Sequence, residues 1–436
     1  MDVNWKYLLI TFVLAAIVGG GTFWFSRVGE LPAAVNLPEI QKPKETEIAK
    51  EENPLARAVE QGKEFLLRME DEEKHGFHKY YYALEDRFEE RLHTVYSASI
   101  IYTLLKIYDF DGDERIFKKL PQWGEFLLSM QNKTGKAEGA FHYSLYLSPE
   151  EKEEKFVVGT AALSIFTLLD LYERTETPEY LESAKLAGDW LLGMQQDNGI
   201  MKAYQRYEEG KWYYGTQESL LYNGQVLAAL SRLYQVTQEE KYFNSAEKIA
   251  KHFEKRVEED GCFLGDEYRS ANPISSAWVV MALLDFYKVD PAEEGDELRS
   301  SSPFADARVH KEIIFNCSRE LIKRQMTETA DPLYQGRWNL AFSTSGNGWL
   351  AEVMMEMYHF CERENMTACQ DYKTAVIKAI DWLMQFTYSE ENSIALPNPK
   401  LAIGGIFWDY NNKYVRTDSV CHALNSYVGI IGYMLQ

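Results

Sequence analysis

The sequence predicts an all-α body of twelve helices that alternate outer and inner and close into a ring, behind one apolar N-terminal segment. Three observations predict it. An outer-helix motif returns six times at a period of about 62 to 68 residues. Each copy is followed by a more apolar helix. The body also begins with an outer helix and ends with an inner one, so its two ends can complete each other.

The outer motif is clearest from Gly62 to Met69, Gly124 to Gln131 and Gly188 to Gln195. Weaker copies run from Lys251 to Val257, Arg319 to Gln325 and Asp381 to Gln385. Each pairs an apolar face with a Lys- and Glu-bearing face, the pattern of a helix packed on one side only. The second helices span Val95–Tyr108, Val157–Tyr172, Ser219–Tyr234, Ser275–Tyr287, Gly346–Tyr358 and Ser419–Met434. They are apolar nearly all round, which places them inside.

The connections are unequal. Inner-to-outer turns are short, as at Asp109–Asp113, Arg174–Pro178 and Val236–Glu239. Outer-to-inner loops run to about 20 to 35 residues, and loops of that length within a compact body carry function. Most contain Gly and an aromatic residue: Gly76–Phe77, Gly139–Phe141, Gly261–Phe263, Gly336–Trp338, Gly405–Trp408. All should gather at one end of the ring, above the inner-helix N-termini. A Ser-rich acidic stretch, Asp290 to Ser302, falls at the other end.

Ahead of the body, Tyr7 to Phe25 is free of charge and close to the roughly 20 residues that span a bilayer. Trp24 and Phe25 close it in place of the small residues of a cleavage site. Residues 1–27 are therefore expected to be an uncleaved transmembrane anchor, with a cleaved signal peptide as the alternative. Pro32, Pro38, Pro43 and Pro54 mark residues 28–54 as an extended tether. The body is residues 55–436. From the very short N-terminal tail the body is expected on the extracytoplasmic side.

The formal net charge is −21. That argues against nucleic acid, whose binding depends on Lys and Arg at phosphates, and against lying flat on anionic lipid. Five cysteines make no disulfide framework, although Cys361 and Cys369 flank a short turn and can pair in an oxidising compartment. Asp109–Asp113 fails as a calcium loop, because the sixth and twelfth positions hold Glu114 and Leu120.

With its six helical hairpins and long loops, the chain resembles the (α/α)6 toroids of the six-hairpin glycosidase-like superfamily. That group includes glycoside hydrolases, unsaturated-uronyl hydrolases and the helical domain of glucuronyl C5-epimerase. The resemblance covers residues 55–436 and rests on the repeat, not on a catalytic motif. It implies an enzyme with a carbohydrate substrate in the loop-ringed funnel, and the apolar run Tyr7 to Phe25 adds the expected membrane anchor. Glycoside hydrolysis is the first expectation, and uronate lyase or C5-epimerase chemistry the second. A non-catalytic scaffold that presents its loop face to glycan or protein is the rival.

Hydrolysis requires two carboxylates, one protonated and one ionised. Glu218 and Asp418 each stand at the start of an inner helix, and Asp266 lies in a loop. These are the candidate acids, bases or nucleophiles, although Glu218 and Asp418 equally suit the helix dipole. Arg416, Tyr222, Trp408, Tyr410 and His422 are the candidate substrate-binding residues. Arg416 suits a substrate carboxylate. His422, one helical turn from Asp418, suits proton abstraction beside it, or a core hydrogen bond. No cofactor is expected. A minor alternative is zinc: Asp260, Cys262 and His422 resemble the ligand set of protein prenyltransferase β-subunits, and Cys421–His422 resembles a pair in lanthionine cyclases.

Overall fold

The computed structural model describes residues 53–289 and 307–434. The expected anchor and nearly all of the tether, and the stretch Asp290 to Ser302, lie outside the described residues. Among the described residues no helix is long and apolar enough to cross a membrane.

Among the described residues six outer helices alternate with six inner ones. The outer set is α1 (Pro54–Arg68), α3 (Glu114–Ser129), α5 (Pro178–Met194), α7 (Glu240–Asp260), α9 (Ala307–Ile322) and α11 (Cys369–Met384). The inner set is α2 (Thr94–Asp111), α4 (Val158–Thr175), α6 (Leu220–Thr237), α8 (Pro273–Tyr287), α10 (Thr344–Arg363) and α12 (Thr417–Met434). Starts are set locally. Asn53, Ser219, Asn272 and Ser343 cap α1, α6, α8 and α10 through side-chain oxygens, and Pro54, Pro178 and Pro273 occupy the first helical position.

Burial separates the two sets. In α8 every residue from Ser275 to Phe286 is buried. In α7 only one stripe is, with Tyr242, Ala246, Ile249 and Phe253 at helical spacing. Each inner helix packs on the next, α2 on α4, α4 on α6, α6 on α8, α8 on α10, α10 on α12, and α12 back on α2. The last helix also packs on α1, the first outer one. The wall is therefore closed.

The end of the outer motif acts as a strut. Gln131 Nε2 donates to the Gly139 and Ser183 carbonyls at 3.0 and 2.9 Å, and Gln195 reaches the Ser245 carbonyl at 2.9 Å. Gln325 Nε2 donates to the Gly336 and Ala375 carbonyls at 2.7 and 2.8 Å. Each glutamine so ties the next outer helix, which explains why the motif recurs: a buried amide with both partners met holds a register that apolar packing alone leaves free. In the sixth unit the register differs from the sequence alignment. Thr387, not Gln385, holds the bridge position, opposite Ile406.

The loops join one another over part of the ring. Strand β1 (Tyr80–Tyr82) pairs with β2 (Arg87–Phe88) and with β9 (Val415–Arg416). Strand β3 (Arg91–His93) pairs with β4 (Ser144–Leu147), which pairs with β5 (Glu150–Lys152). Strand β6 (Lys155–Val157) pairs with β7 (Tyr204–Glu208), followed by β8 (Lys211–Gly215). These pairings link the loops of the sixth, first, second and third units. The fourth loop, 261–272, is much shorter than expected, because α7 runs on to Asp260.

Candidate functional site

The ring encloses one deep cavity of about 790 Å³ at its centre. Inner helices supply most of the wall: Tyr96, Tyr102, Tyr222, Gln225, Arg232, Trp278, Asp285, Trp349, Glu352, His422 and Asn425. Loops add Tyr143, Arg269 and Trp408. Five sequence-predicted residues, Asp418, Arg416, Tyr222, Trp408 and His422, come together here.

Asp418 is locked. Arg416 Nε donates to one of its oxygens at 2.7 Å and Arg416 Nη2 to the other, while Ser345 Oγ donates at 2.8 Å. Burial favours the neutral acid, but the Arg416 charge and these hydrogen bonds outweigh it and hold the Asp418 pKa below the usual carboxylate range. Arg416 is committed in turn, and its guanidinium also lies 4.0 Å over the Trp408 ring. The structure thus occupies the arginine that the sequence offered to a substrate carboxylate.

His422 has a different partner. Its Nδ1 lies 2.7 Å from Glu352, whose other oxygen accepts from Asn425 Nδ2 at 2.9 Å and lies 3.6 Å from Lys106 Nζ. Glu352 is buried, which opposes ionisation, yet His422, Lys106 and Asn425 together lower its pKa. An ionised Glu352 fixes the proton of a neutral His422 on Nδ1 and leaves Nε2 as an acceptor. Trp349 meets the His422 ring edge-on at 5.3 Å and stacks on Trp278 at 3.9 Å. The third cavity carboxylate, Asp285, accepts from Arg232 at 2.7 and 2.9 Å and lies 3.1 Å from Lys288. Its pKa is lowered too, the cations again overcoming burial.

Three sequence candidates stand elsewhere. Glu218 precedes the α6 cap and is held by His252 and Arg256 of the outer helix α7. Asp266 is a turn and cap residue, accepting from the backbone amides of Leu220, Tyr268 and Arg269 at 2.8 to 3.0 Å. Tyr410 is 62 % exposed, with Lys413 5.0 Å over its ring. None of the three lines the cavity. The ligand set proposed for zinc is also dispersed. Cys262 is disulfide-bonded to Cys317, Asp260 pairs with Arg256, and burial pushes the Cys421 thiol far up, whereas zinc requires thiolates. Some loop aromatics serve packing: Phe77, Phe141 and Trp338 are buried in the core.

The residues that sequence reasoning missed, Glu352, Arg232 and Asp285, carried a usable signal. Each is a charge inside a helix apolar all round, and such a charge is buried only when paired or functional.

No protein-family model and no curated protein matches the chain. Solved structures do. The cellobiose 2-epimerase from Bacillus thermoamylovorans superposes with a TM-score of 0.62 at 12 % identity, covering 85 % of this chain and 97 % of that one. A D-mannose isomerase gives 0.62 at 12 % identity, covering 87 % and 97 %. An inactive variant of the α-1,6-mannanase of Salegentibacter sp., solved with α-1,6-mannotriose, gives 0.59 at 11 % identity, covering 86 % and 98 %. The chain has the (α/α)6 toroid fold of the six-hairpin glycosidase-like enzymes.

Proposed function

We propose that the protein is a carbohydrate-active enzyme that moves a proton at a sugar carbon, as an epimerase, isomerase or lyase, with His422 as the base. The names of the structural neighbours span epimerases, an isomerase and hydrolases, so the cavity has to decide between them. One observation carries the choice. All three carboxylates in the wall, Asp418, Glu352 and Asp285, are ion-paired and held ionised. A glycosidase of the usual kind needs one carboxyl kept protonated as a general acid. None of these three carboxyls is in that state, whereas His422 carries an acceptor nitrogen held in one tautomer by Glu352.

In this reading His422 Nε2 takes a proton from a carbon next to a carbonyl or carboxyl group. Glu352 steadies the imidazolium that forms. Burial keeps the Tyr96 and Tyr222 hydroxyls protonated, so both can donate to the enolate oxygen as charge develops there. Trp278, Trp349 and Trp408 line the cavity and supply aromatic surface for the sugar's C–H groups. A proton from water on the other face gives the epimer, and the imidazolium then returns its own proton to solvent; departure of the neighbouring substituent with the imidazolium's proton gives an unsaturated sugar instead.

Turnover of a glycan panel in deuterium oxide tests this. Deuterium bound to carbon in recovered sugar, or an unsaturated product, supports it. New reducing ends with neither deuterium on carbon nor an unsaturated product would establish hydrolysis in its place.

We also propose that the body is extracytoplasmic and membrane-tethered. The apolar run Tyr7 to Phe25 supports the tether, and the Cys262–Cys317 and Cys361–Cys369 disulfides support an oxidising compartment.

A further inference from the structure

We infer that the substrate is an acidic glycan whose carboxylates are held at the cavity mouth by Lys79, Lys155 and Arg269. The inference deepens the reading above and rests on it.

The chain carries 67 acidic and 46 basic residues. In such a chain most cations find a carboxylate, and two arginines of the cavity wall and the nearby Lys106 do: Arg416 with Asp418, Arg232 with Asp285, Lys106 with Glu352. Lys79, Lys155 and Arg269 have no carboxylate within ion-pair distance among the described residues. They come from three different units of the ring, yet Arg269 lines the cavity and each lysine stands over a tyrosine that lines it.

Their setting is ordered. Lys79 Nζ stands 4.8 Å over the Tyr96 ring and 4.7 Å over Tyr80. Lys155 Nζ stands 4.8 Å over Tyr143 and 5.9 Å over Tyr204. Tyr96 and Tyr143 both line the cavity, and His93 fastens them edge-on at 5.8 and 5.2 Å. Arg269 lines the cavity itself, on the side of Tyr222. One stretch of wall therefore alternates cations and aromatic faces. That alternation matches a chain of acidic sugars, in which flat C–H faces recur with carboxylates between them. A neutral glycan would use the rings and leave the cations idle.

Local acids do not cancel the three charges. Glu89 accepts from Arg91 and His93 at 2.7 and 3.2 Å. Glu153 accepts from Ser144 Oγ at 2.7 Å, and Asp266 is taken up by backbone amides. A cation–π contact explains one lysine over one ring. It does not explain two of them beside an unpaired arginine at a single mouth. Ammonium groups held over aromatic rings, like Lys79 and Lys155, bind carboxylate through charge-assisted hydrogen bonds.

The test is calorimetric titration of the full-length protein with a uronic-acid tetrasaccharide and with the same tetrasaccharide after reduction of its carboxyl groups to alcohols. The acidic form should bind at least about tenfold more tightly. Lys79→Gln, Lys155→Gln and Arg269→Gln should each weaken the acidic form about fivefold or more and leave the reduced form unchanged. Equal binding of the two forms, or variants that weaken both alike, overturns the inference. Deuterium exchange into the reduced form at the full rate also overturns it, while leaving the proposed proton transfer in place.

Discussion

Gly404 lies against the backbone of Gln61, so close that an added Cβ would stand 1.9 Å from the Gln61 carbonyl oxygen. The contact joins the last long loop to the first outer helix, α1. It repeats inside the ring. Gly139 meets the Leu186 carbonyl, Gly199 that of Lys248 and Gly336 that of Lys378, where a Cβ would stand 2.1, 2.5 and 2.1 Å away. All four have positive φ, between +86° and +98°. In each case the partner belongs to the next outer helix, so the Gly404 contact treats α1 as the helix that follows α11.

Gly404→Ala should therefore cost about 3 kcal/mol or more, since it adds left-handed strain to a backbone clash with no side chain to move aside. Gly139→Ala should behave likewise. Gly210→Ala is the control: its φ is +76° but nothing lies within 4 Å, so only strain of about 1 kcal/mol applies. Urea unfolding of the three variants measures this. A Gly404 variant as mild as Gly210→Ala would mean that the closing contact is slack.

His422→Gln should lower turnover about 100- to 10,000-fold, the range for loss of a general base. Glu352→Gln should also lower it, because the amide no longer fixes the Nδ1 proton, and substrate affinity should change little. Glu218→Gln and Asp266→Asn should leave turnover near the parent value, because their partners are His252, Arg256 and backbone amides outside the cavity. Steady-state kinetics on whichever glycan is turned over decides it. Unchanged turnover in the His422 variant removes His422 as the base.

The contrast between Asp418 and Glu218 shows how far the sequence could be read. Both look like acids at the start of an inner helix. The repeat set the twelve helices and the end of the ring that holds the loops, since periodic burial is written in the chain. It did not set which side of a helix start faces inward, because that depends on a shift of one or two residues at each cap. Glu218 falls one residue ahead of the Ser219 cap and turns to α7, while Asp418 is within the first turn of α12. Glu352 was hidden differently. Its helical surroundings look like uniform core, and its partner His422 is 70 residues away. The Cys262–Cys317 bond, 55 residues apart, was equally out of reach, whereas Cys361 and Cys369 are close enough in sequence to suggest their pairing.

The purified, denatured and unreduced chain should show one free thiol, Cys421, out of five cysteines. Loop-closure entropy gives about 4 kcal/mol for Cys262–Cys317 and about 2.5 kcal/mol for Cys361–Cys369 as upper values. Cys262→Ser with Cys317→Ser should therefore lower unfolding free energy more than the corresponding double replacement at 361 and 369. Thiol titration and urea unfolding check both statements. Five titratable thiols in protein made in an oxidising compartment would remove the disulfide argument for location.

Acid should destabilise the body below about pH 4. Glu89 gives the clearest case: against the effect of burial, His93 and Arg91 pull its pKa down to about 2, below the roughly 4.3 of an unfolded glutamate. A carboxyl depressed on folding contributes its full stabilisation above the unfolded value and loses it as pH falls through the folded one. The Glu89 share should thus be intact at pH 5 and gone near pH 2. It amounts to about 2 kcal/mol once solvent screening of a half-buried group is allowed for. Asp418, Glu352 and Asp285 shift in the same direction, so their losses add to the same limb. Urea unfolding from pH 7 to 2.5 should show a flat region above about 4.5 and a decline beneath it. Glu89→Gln should start lower at pH 7 and decline less steeply, because it has lost the titrating group but not its neighbours. A variant whose curve runs parallel to the parent's through the acid limb would show that Glu89 titrates alike in the folded and unfolded chain, and that the Arg91 and His93 contacts do not hold it ionised.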